Sequence, residues 1–218
     1  MISNPNSLFH YVISRGDPNS AYVALTFDDG PSYFTQSILK ILKEKQVTAT
    51  FFLYGEFIEK NKRFLYKILD DGHAIGNHSW SHFNFSLIPD NQFLYQEIYP
   101  VERLLIKLIG IKPKLIRPPY GVIRLDQMIT LANLGYYIVM WSVNSQDWEY
   151  IQHYKKLAYT LIFETVQRSI HNGAIVLLHD GVIKRQSTVW ATDMIVNELI
   201  ERKFNLISVD QMISQYMA

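Results

Sequence analysis

Short β-rich runs alternate with helical patterns along nearly the whole chain, and this rhythm restricts the fold more than any other feature. Tyr22 to Phe27 reads as a buried strand that ends at Asp28-Asp29-Gly30. Ser32 caps a following helix whose apolar positions Phe34, Ile38, Ile41 and Leu42 recur at helical spacing. Thr48 to Tyr54 reads as a second strand, followed by a helix from Glu56 to Leu69 that Asp71-Gly72 closes. Helices are predicted over 91–108, 126–134, 154–171 and 189–202, and strands over 136–143, 174–178 and 206–209. Strands separated by helices of this length form βα units and a parallel sheet. About seven such units in one domain predict a (β/α) barrel rather than an open sheet.

The bulk numbers suit that reading. The chain has 218 residues, 48% hydrophobic and 19% charged, enough for one domain with a large core. Its net charge of +1 provides no strong field for nucleic acid or anionic lipid, so neither is an expected partner. There is no cysteine, which excludes disulfides, thiolate metal ligands and a cysteine nucleophile. Any metal must be held by His, Asp or Glu. Residues 1–20 are polar and lack the apolar core of a signal peptide; they are expected to form an N-terminal extension to a catalytic domain over 21–218. No apolar run approaches the roughly 20 residues of a membrane span. The cytoplasm, and the cell exterior after removal of a leader, both stay open as compartments.

Five segments carry the chemistry: Thr26-Phe27-Asp28-Asp29-Gly30-Pro31, His78-Ser79-Trp80-Ser81-His82, Arg117-Pro118-Pro119-Tyr120-Gly121, Asp147-Trp148 and Leu177-Leu178-His179-Asp180. Each also has an ordinary reading. Asp-Asp-Gly-Pro makes a strand-end turn, although two adjacent carboxylates repel unless one binds a cation. His78 and His82 are four apart, so on a helical turn both rings project from one face, as metal ligands or as a packed pair. His73 is read as structural. Arg117 before two prolines is either a surface residue at a rigid turn or a preorganised cation. His179 ends the buried run Val176-Leu177-Leu178 abruptly, which suits a residue leaving the core for a site, or a capped core histidine. Asp28, Asp29, Arg117, Asp147 and His179 all fall at predicted strand ends, which converge at one mouth of a parallel barrel. Together the segments contain a base, three metal ligands, an arginine, a second acid and a ring nitrogen, the set needed to hydrolyse an amide with metal-activated water.

With these residues in this order, the chain resembles polysaccharide deacetylases of the NodB-homology type, carbohydrate esterase family 4. The family motifs match at 26–30, 78–82, 117–120, 147–148 and 177–179. The second is one spacer shorter than the shorthand His-Ser-x-x-Ser-His. The fourth, often Asp-x-x-Asp-Trp, departs by having Asn144 in Asn144-Ser145-Gln146-Asp147-Trp148. That substitution is expected to alter local hydrogen bonding or substrate contact without removing activity. The resemblance implies an irregular (β/α) barrel. It implies that Asp29, His78 and His82 bind a metal and that Asp28 is the general base. Arg117 then orients Asp28, His179 is the general acid, and Asp147 pairs with it. The Tyr120 amide joins an oxyanion hole, while Tyr120, Trp148 and Leu177 line the groove for acetyl group and sugar.

The leading expectation is a metal-dependent N-deacetylase acting on the N-acetylated amino sugars of a glycan or oligosaccharide, of peptidoglycan, chitin-like or poly-N-acetylglucosamine type. One divalent ion is expected, with zinc the default and cobalt, nickel or iron compatible with the same donors. A monomer is expected. Two other readings stand beside this: a deformylase or amidase acting on a lipid-linked sugar or small amide, and a catalytically silent carbohydrate-binding protein.

Overall fold

The longest strand, β2 (Tyr22–Gly30), organises the molecule. Val23, Ala24, Leu25 and Phe27 are fully buried, as expected for a parallel strand covered on both faces. The computed structural model describes residues 8–89, 91–181 and 184–217. Its other strands are β1 (Val12–Ile13), β3 (Thr50–Leu53), β4 (Ala74–Asn77), β5 (Leu115–Ile116), β6 (Tyr137–Val139), β7 (Val143–Asn144), β8 (Ala174–His179) and β9 (Asn205–Leu206). All pair in parallel, in the order β1-β6-β5-β4-β3-β2-β8-β7, with β9 on β2. β6 pairs with β5 and β7 pairs with β8, so one stretch of chain joins both flanks and curls the sheet into an irregular barrel.

Helices α1 (Tyr33–Glu44), α2 (Gly55–Lys60), α3 (Lys62–Asp70), α4 (Tyr99–Ile109), α5 (Leu125–Asn133), α6 (Asp147–Tyr154), α7 (Ala158–Ser169), α8 (Gln186–Glu201) and α9 (Val209–Met217) cover it. α1 illustrates the local logic. Ser32 Oγ accepts the Phe34 amide, and Thr35 Oγ1 accepts the Ser32 amide in return. Thr35, Ile38, Leu39 and Leu42 then face inward at helical spacing. Among the described residues no helix is long and apolar enough to cross a membrane.

Several elements differ from the sequence reading. The helix predicted over 56–69 is two helices parted at Asn61, whose Nδ2 reaches back to the Pro31 carbonyl. The predicted strand 136–143 breaks into β6 and β7 because Arg117 draws in the carbonyls of Val139 and Met140. The helix predicted from 154 begins at Ala158, and the separate α6 starts at Asp147. The predicted final strand, 206–209, gives way to α9 at Val209. Of the expected N-terminal extension, Val12 and Ile13 pair with β6, and residues 1–7 lie outside the described residues.

Candidate active site

Asp28 and Asp29 close β2, but they point to different tasks because the backbone turns between them. Asp29 is left-handed (φ 71°), and the register between β2 and β3 shifts across Asp28 and Gly30. Gly181 lets the His179–Gly181 strand end close over this turn: a Cβ there would lie 1.8 Å from the Asp29 carbonyl oxygen.

Asp28 is buried and held by Arg117, whose guanidinium donates to Asp28 Oδ1 at 2.8 Å and to Thr26 Oγ1 at 2.7 Å. Arg117 has no exposed surface; its remaining donors go to the Val139 and Met140 carbonyls, and the Phe52 ring packs 4.2 Å from its guanidinium carbon. The expected surface alternative for Arg117 is therefore excluded. The other oxygen of Asp28, Oδ2, lies 3.8 Å from His78 Nε2.

His78 and His82 do not sit on a helical turn, which corrects the expectation drawn from their spacing. They lie in a loop after β4 with Ser79 (φ 72°) and His82 (φ 57°) left-handed. Two side chains shape it: Asn77 Oδ1 accepts the Ser79 amide, and Ser79 Oγ accepts the His82 amide. His78 Nδ1 lies 2.7 Å from the Arg117 carbonyl and must donate to it, which leaves a lone pair on Nε2. That nitrogen is 3.5 Å from Asp29 Oδ1, and His82 Nε2 is 3.3 Å from the same oxygen.

These residues fit a divalent cation. For a tetrahedral ion with bonds of about 2.0–2.1 Å, neighbouring donor atoms lie about 3.3–3.4 Å apart, close to both separations. Asp29 Oδ1 is buried without a hydrogen-bond partner, and a carboxylate facing imidazole lone pairs needs a positive charge between them. The same demand is visible in the proton affinities. Burial would raise the Asp29 carboxyl, yet His78 and His82 hold it well below the ordinary carboxylate value. Burial would likewise depress His78, yet Asp28 and Asp29 raise it. A cation satisfies both without a proton. Asp29, His78 and His82 are the one such cluster among the described residues.

In the same cleft as this cluster, His179 Nδ1 is 2.7 Å from Asp147 Oδ1. Asp147 is fully buried at the start of α6 and also accepts the His179 amide and the Thr188 hydroxyl through Oδ2. Burial works against a charged His179, but Asp147 first, then Asp29 and Asp28, raise its pKa to about 8. Burial works against a charged Asp147 too; His179 and Arg185 outweigh it and lower its pKa.

One cleft of about 440 Å³ receives Asp28, Asp29, His78, His82, Tyr120, Trp148, Leu177 and His179. Every residue that the sequence singled out for the site is thus in or against this cleft, with Arg117 and Asp147 behind it. Tyr120 is left-handed (φ 60°), and its ring lies 4.7 Å from that of His82. Asn144 Oδ1 accepts the Gln146 amide, so it shapes the turn that delivers Asp147. His73 is remote, buried at the start of β4, with Nδ1 accepting the Ala49 amide and burial lowering its pKa to about 4.

Sequence reasoning missed Arg185 and Thr188. Arg185 lies 3.9 Å from both Asp29 Oδ2 and Asp147 Oδ2, between the cation cluster and the acid pair. Their partners Asp29 and Asp147 reach them only through the fold, so no local signal in the sequence marks them. Asp180 was also unassigned. It is buried behind the site, its Oδ2 bonded to Thr35, and burial raises its pKa to about 7.

A barrel mouth that gathers these groups defines a polysaccharide deacetylase: the profile of that family matches residues 15–139, and the chain belongs to the family. Its relatives include a peptidoglycan-N-acetylglucosamine deacetylase of Bacillus cereus, 37% identical over 90% of this chain and 70% of that protein. The Bacillus subtilis peptidoglycan-N-acetylmuramic acid deacetylase PdaC is 34% identical over 90% of this chain, which spans only 39% of PdaC. A crystal structure of a peptidoglycan N-acetylglucosamine deacetylase superposes with a TM-score of 0.86 at 36% identity, covering 93% of this chain and 92% of that one. A family 4 pseudoenzyme from Bacillus anthracis superposes with a TM-score of 0.82 at 29% identity, covering 93% of this chain and 68% of that one.

Proposed function

We propose that this protein is a metal-dependent hydrolase that removes N-acetyl groups from the amino sugars of a glycan, with peptidoglycan the first substrate to test. The observation that carries this reading is the arrangement in one cleft: Asp28 held by Arg117 and His179 held by Asp147, both beside the Asp29/His78/His82 cluster. Peptidoglycan comes first because the relatives above act on its acetylated sugars.

A divalent ion held by Asp29, His78 and His82 would supply a Lewis acid that polarises the acyl carbonyl and makes water more acidic. The protein's own groups do the rest. Asp28 Oδ2 takes a proton from water as its oxygen attacks the carbonyl carbon. Arg117 holds the Asp28 carboxylate in one orientation and offsets its burial. The Tyr120 amide donates toward the oxygen that gains charge. His179, charged and oriented through Nδ1 by Asp147, presents Nε2 to the nitrogen. It gives its proton there as the carbon–nitrogen bond breaks, leaving acetate and a free amine. Trp148 and Tyr120, exposed at the rim, offer faces on which a pyranose can stack. The pairs Asp28–Arg117 and His179–Asp147 argue against a silent binder, which needs neither acid nor base.

The test is release of acid from N-acetylglucosamine oligomers, intact peptidoglycan and N-formylated sugars, with zinc or cobalt supplied and then chelated. Cation-dependent acetate is the expected result. Formate alone would move the activity to a deformylase, and no product from any of them would leave a carbohydrate-binding role.

A further inference from the structure

All five amides of the loop that carries both histidines are engaged, and two of them go to one distant carboxylate. The His78 amide donates to the Leu53 carbonyl, the Ser79 amide to Asn77 and the His82 amide to Ser79 Oγ. The Trp80 and Ser81 amides both donate to Glu97 Oε2, at 2.9 and 2.8 Å, and Ser81 Oγ donates to Glu97 Oε1 at 2.6 Å. From the opposite side, the Gly55 and Glu56 amides at the start of α2 donate to the Ser79 and Trp80 carbonyls.

Glu97 is 5% exposed, and among the described residues no cation pairs with it. Its burial is compensated by loop donors alone. The chain makes a special turn to deliver it. Leu94–Ile98 is a single π-helical turn, in which the Tyr99 amide bonds five residues back to Leu94. Pro100, in the first turn of α4, has no amide to give to the carbonyl four residues earlier, and so favours the wider turn. Ile98, next to Glu97, accepts the Asn77 side chain through its carbonyl, so the same turn grips both ends of the approach to His78.

We propose that Glu97 is a positioning residue for the cation site, fixing the distance from His78 and His82 to Asp29; this rests on reading that cluster as a cation centre. The loop has two left-handed residues, Ser79 and His82, and four of its five amides are held by side chains, two of them by Glu97. Without Glu97 the Trp80 and Ser81 amides lose their acceptor, and the arc between the histidines relaxes toward other backbone states. The imidazoles would then no longer meet Asp29 at the spacing of an ion's coordination edge.

The experiment is a cobalt titration of the intact chain and of Glu97→Ala, read by the visible absorption of bound cobalt and by Kd, with circular dichroism confirming that each is folded. Loss of a group that orients metal ligands typically weakens affinity about 10–100-fold, and that loss is expected here with an altered cobalt band. Glu97→Asp keeps the charge but draws the carboxylate back by one methylene; it is expected to shift Kd in the same direction by less, and it carries the test if Glu97→Ala does not fold. An unchanged Kd and spectrum in a folded variant, against an unaltered protein that does bind cobalt, would overturn the role of Glu97 alone. Absence of cobalt binding in the unaltered protein would overturn the cation reading and this proposal together.

Discussion

Asp28 and His179 are register partners, their Cα atoms paired on the last rung that β2 and β8 share. One parallel pairing therefore sets the separation of the two groups proposed as base and acid. Each is then aimed by a residue from elsewhere in the barrel: Asp28 by Arg117 after β5, and His179 by Asp147 after β7. A slip of one residue in this register would turn one of them out of the cleft.

The first prediction concerns the acid. Below its raised pKa of about 8, His179 carries the proton it must give, so the rate should fall as pH rises through that value. Asp147→Asn removes the anion 2.7 Å from Nδ1, so the imidazolium loses its proton more readily. The alkaline limb of the kcat profile should move to lower pH by about one unit or more. A bound cation would cancel part of the support from Asp29 and Asp28, which leaves Asp147 as the main group holding the proton on His179. A limb that stayed put or moved upward would assign Asp147 to the fold.

Arg185 predicts the opposite sign in the same measurement. Its guanidinium stands 3.9 Å from Asp147 Oδ2 and counters the field that Asp147 exerts on His179. Arg185→Met should therefore move the alkaline limb to higher pH. A shift in the same direction as Asp147→Asn would mean that Arg185 acts chiefly by holding Asp147 in place.

These two residues also mark how far the sequence could be read. Asp147 was legible because it sits beside Trp148 in an ordered set of motifs. Arg185 was not, because its partners come from β2 and from the start of α6, and no local pattern links them. The same holds for Glu97, whose carboxylate accepts from residues sixteen and seventeen positions earlier, from a π turn that a helical period hides. The barrel was legible because buried parallel strands read as near-continuous apolar runs such as Val23–Phe27, broken only by Thr26, and Ala174–Leu178. The break between β6 and β7 was not, since it depends on where the Arg117 side chain arrives. Nor was the backbone of the histidine pair: a spacing of four suggests a helix, and here two left-handed residues and side-chain caps do the work instead.

Arg117 should matter to stability as well as rate. It has no exposed surface, and Asp28 is 2% exposed, so Arg117→Met leaves a buried carboxylate without its partner. Breaking a buried pair this way costs about 3–5 kcal/mol. Asp28→Asn combined with Arg117→Met should be less destabilised than the sum of the two single changes, by about 0.5–3 kcal/mol. Denaturant unfolding of the four proteins in the cycle measures this. Simple additivity would show that the Arg117 bonds to Thr26 and to the Val139 and Met140 carbonyls account for its effect, and that the ion pair does not.

The last prediction separates the two adjacent aspartates. Asp29 Oδ1 is the oxygen that both His78 Nε2 and His82 Nε2 approach, and it has no hydrogen bond of its own. Asp28 instead commits Oδ1 to Arg117 and keeps Oδ2 toward the cleft, 3.8 Å from His78 Nε2. Asn at position 29 removes the negative charge that a divalent ion requires, so Asp29→Asn should weaken cation binding itself, read by calorimetric titration with zinc. Asn at position 28 keeps the shape and the bond from Arg117 but cannot take a proton from water. Asp28→Asn should therefore bind zinc with similar affinity while turnover falls by about 10²–10⁴. The two measurements must be made on the same preparations, because a low metal content alone would mimic the loss of a base. If Asp28→Asn lost the metal and Asp29→Asn kept it, the division of labour within the pair would be the reverse of the one drawn here, and the left-handed turn at Asp29 would need another explanation.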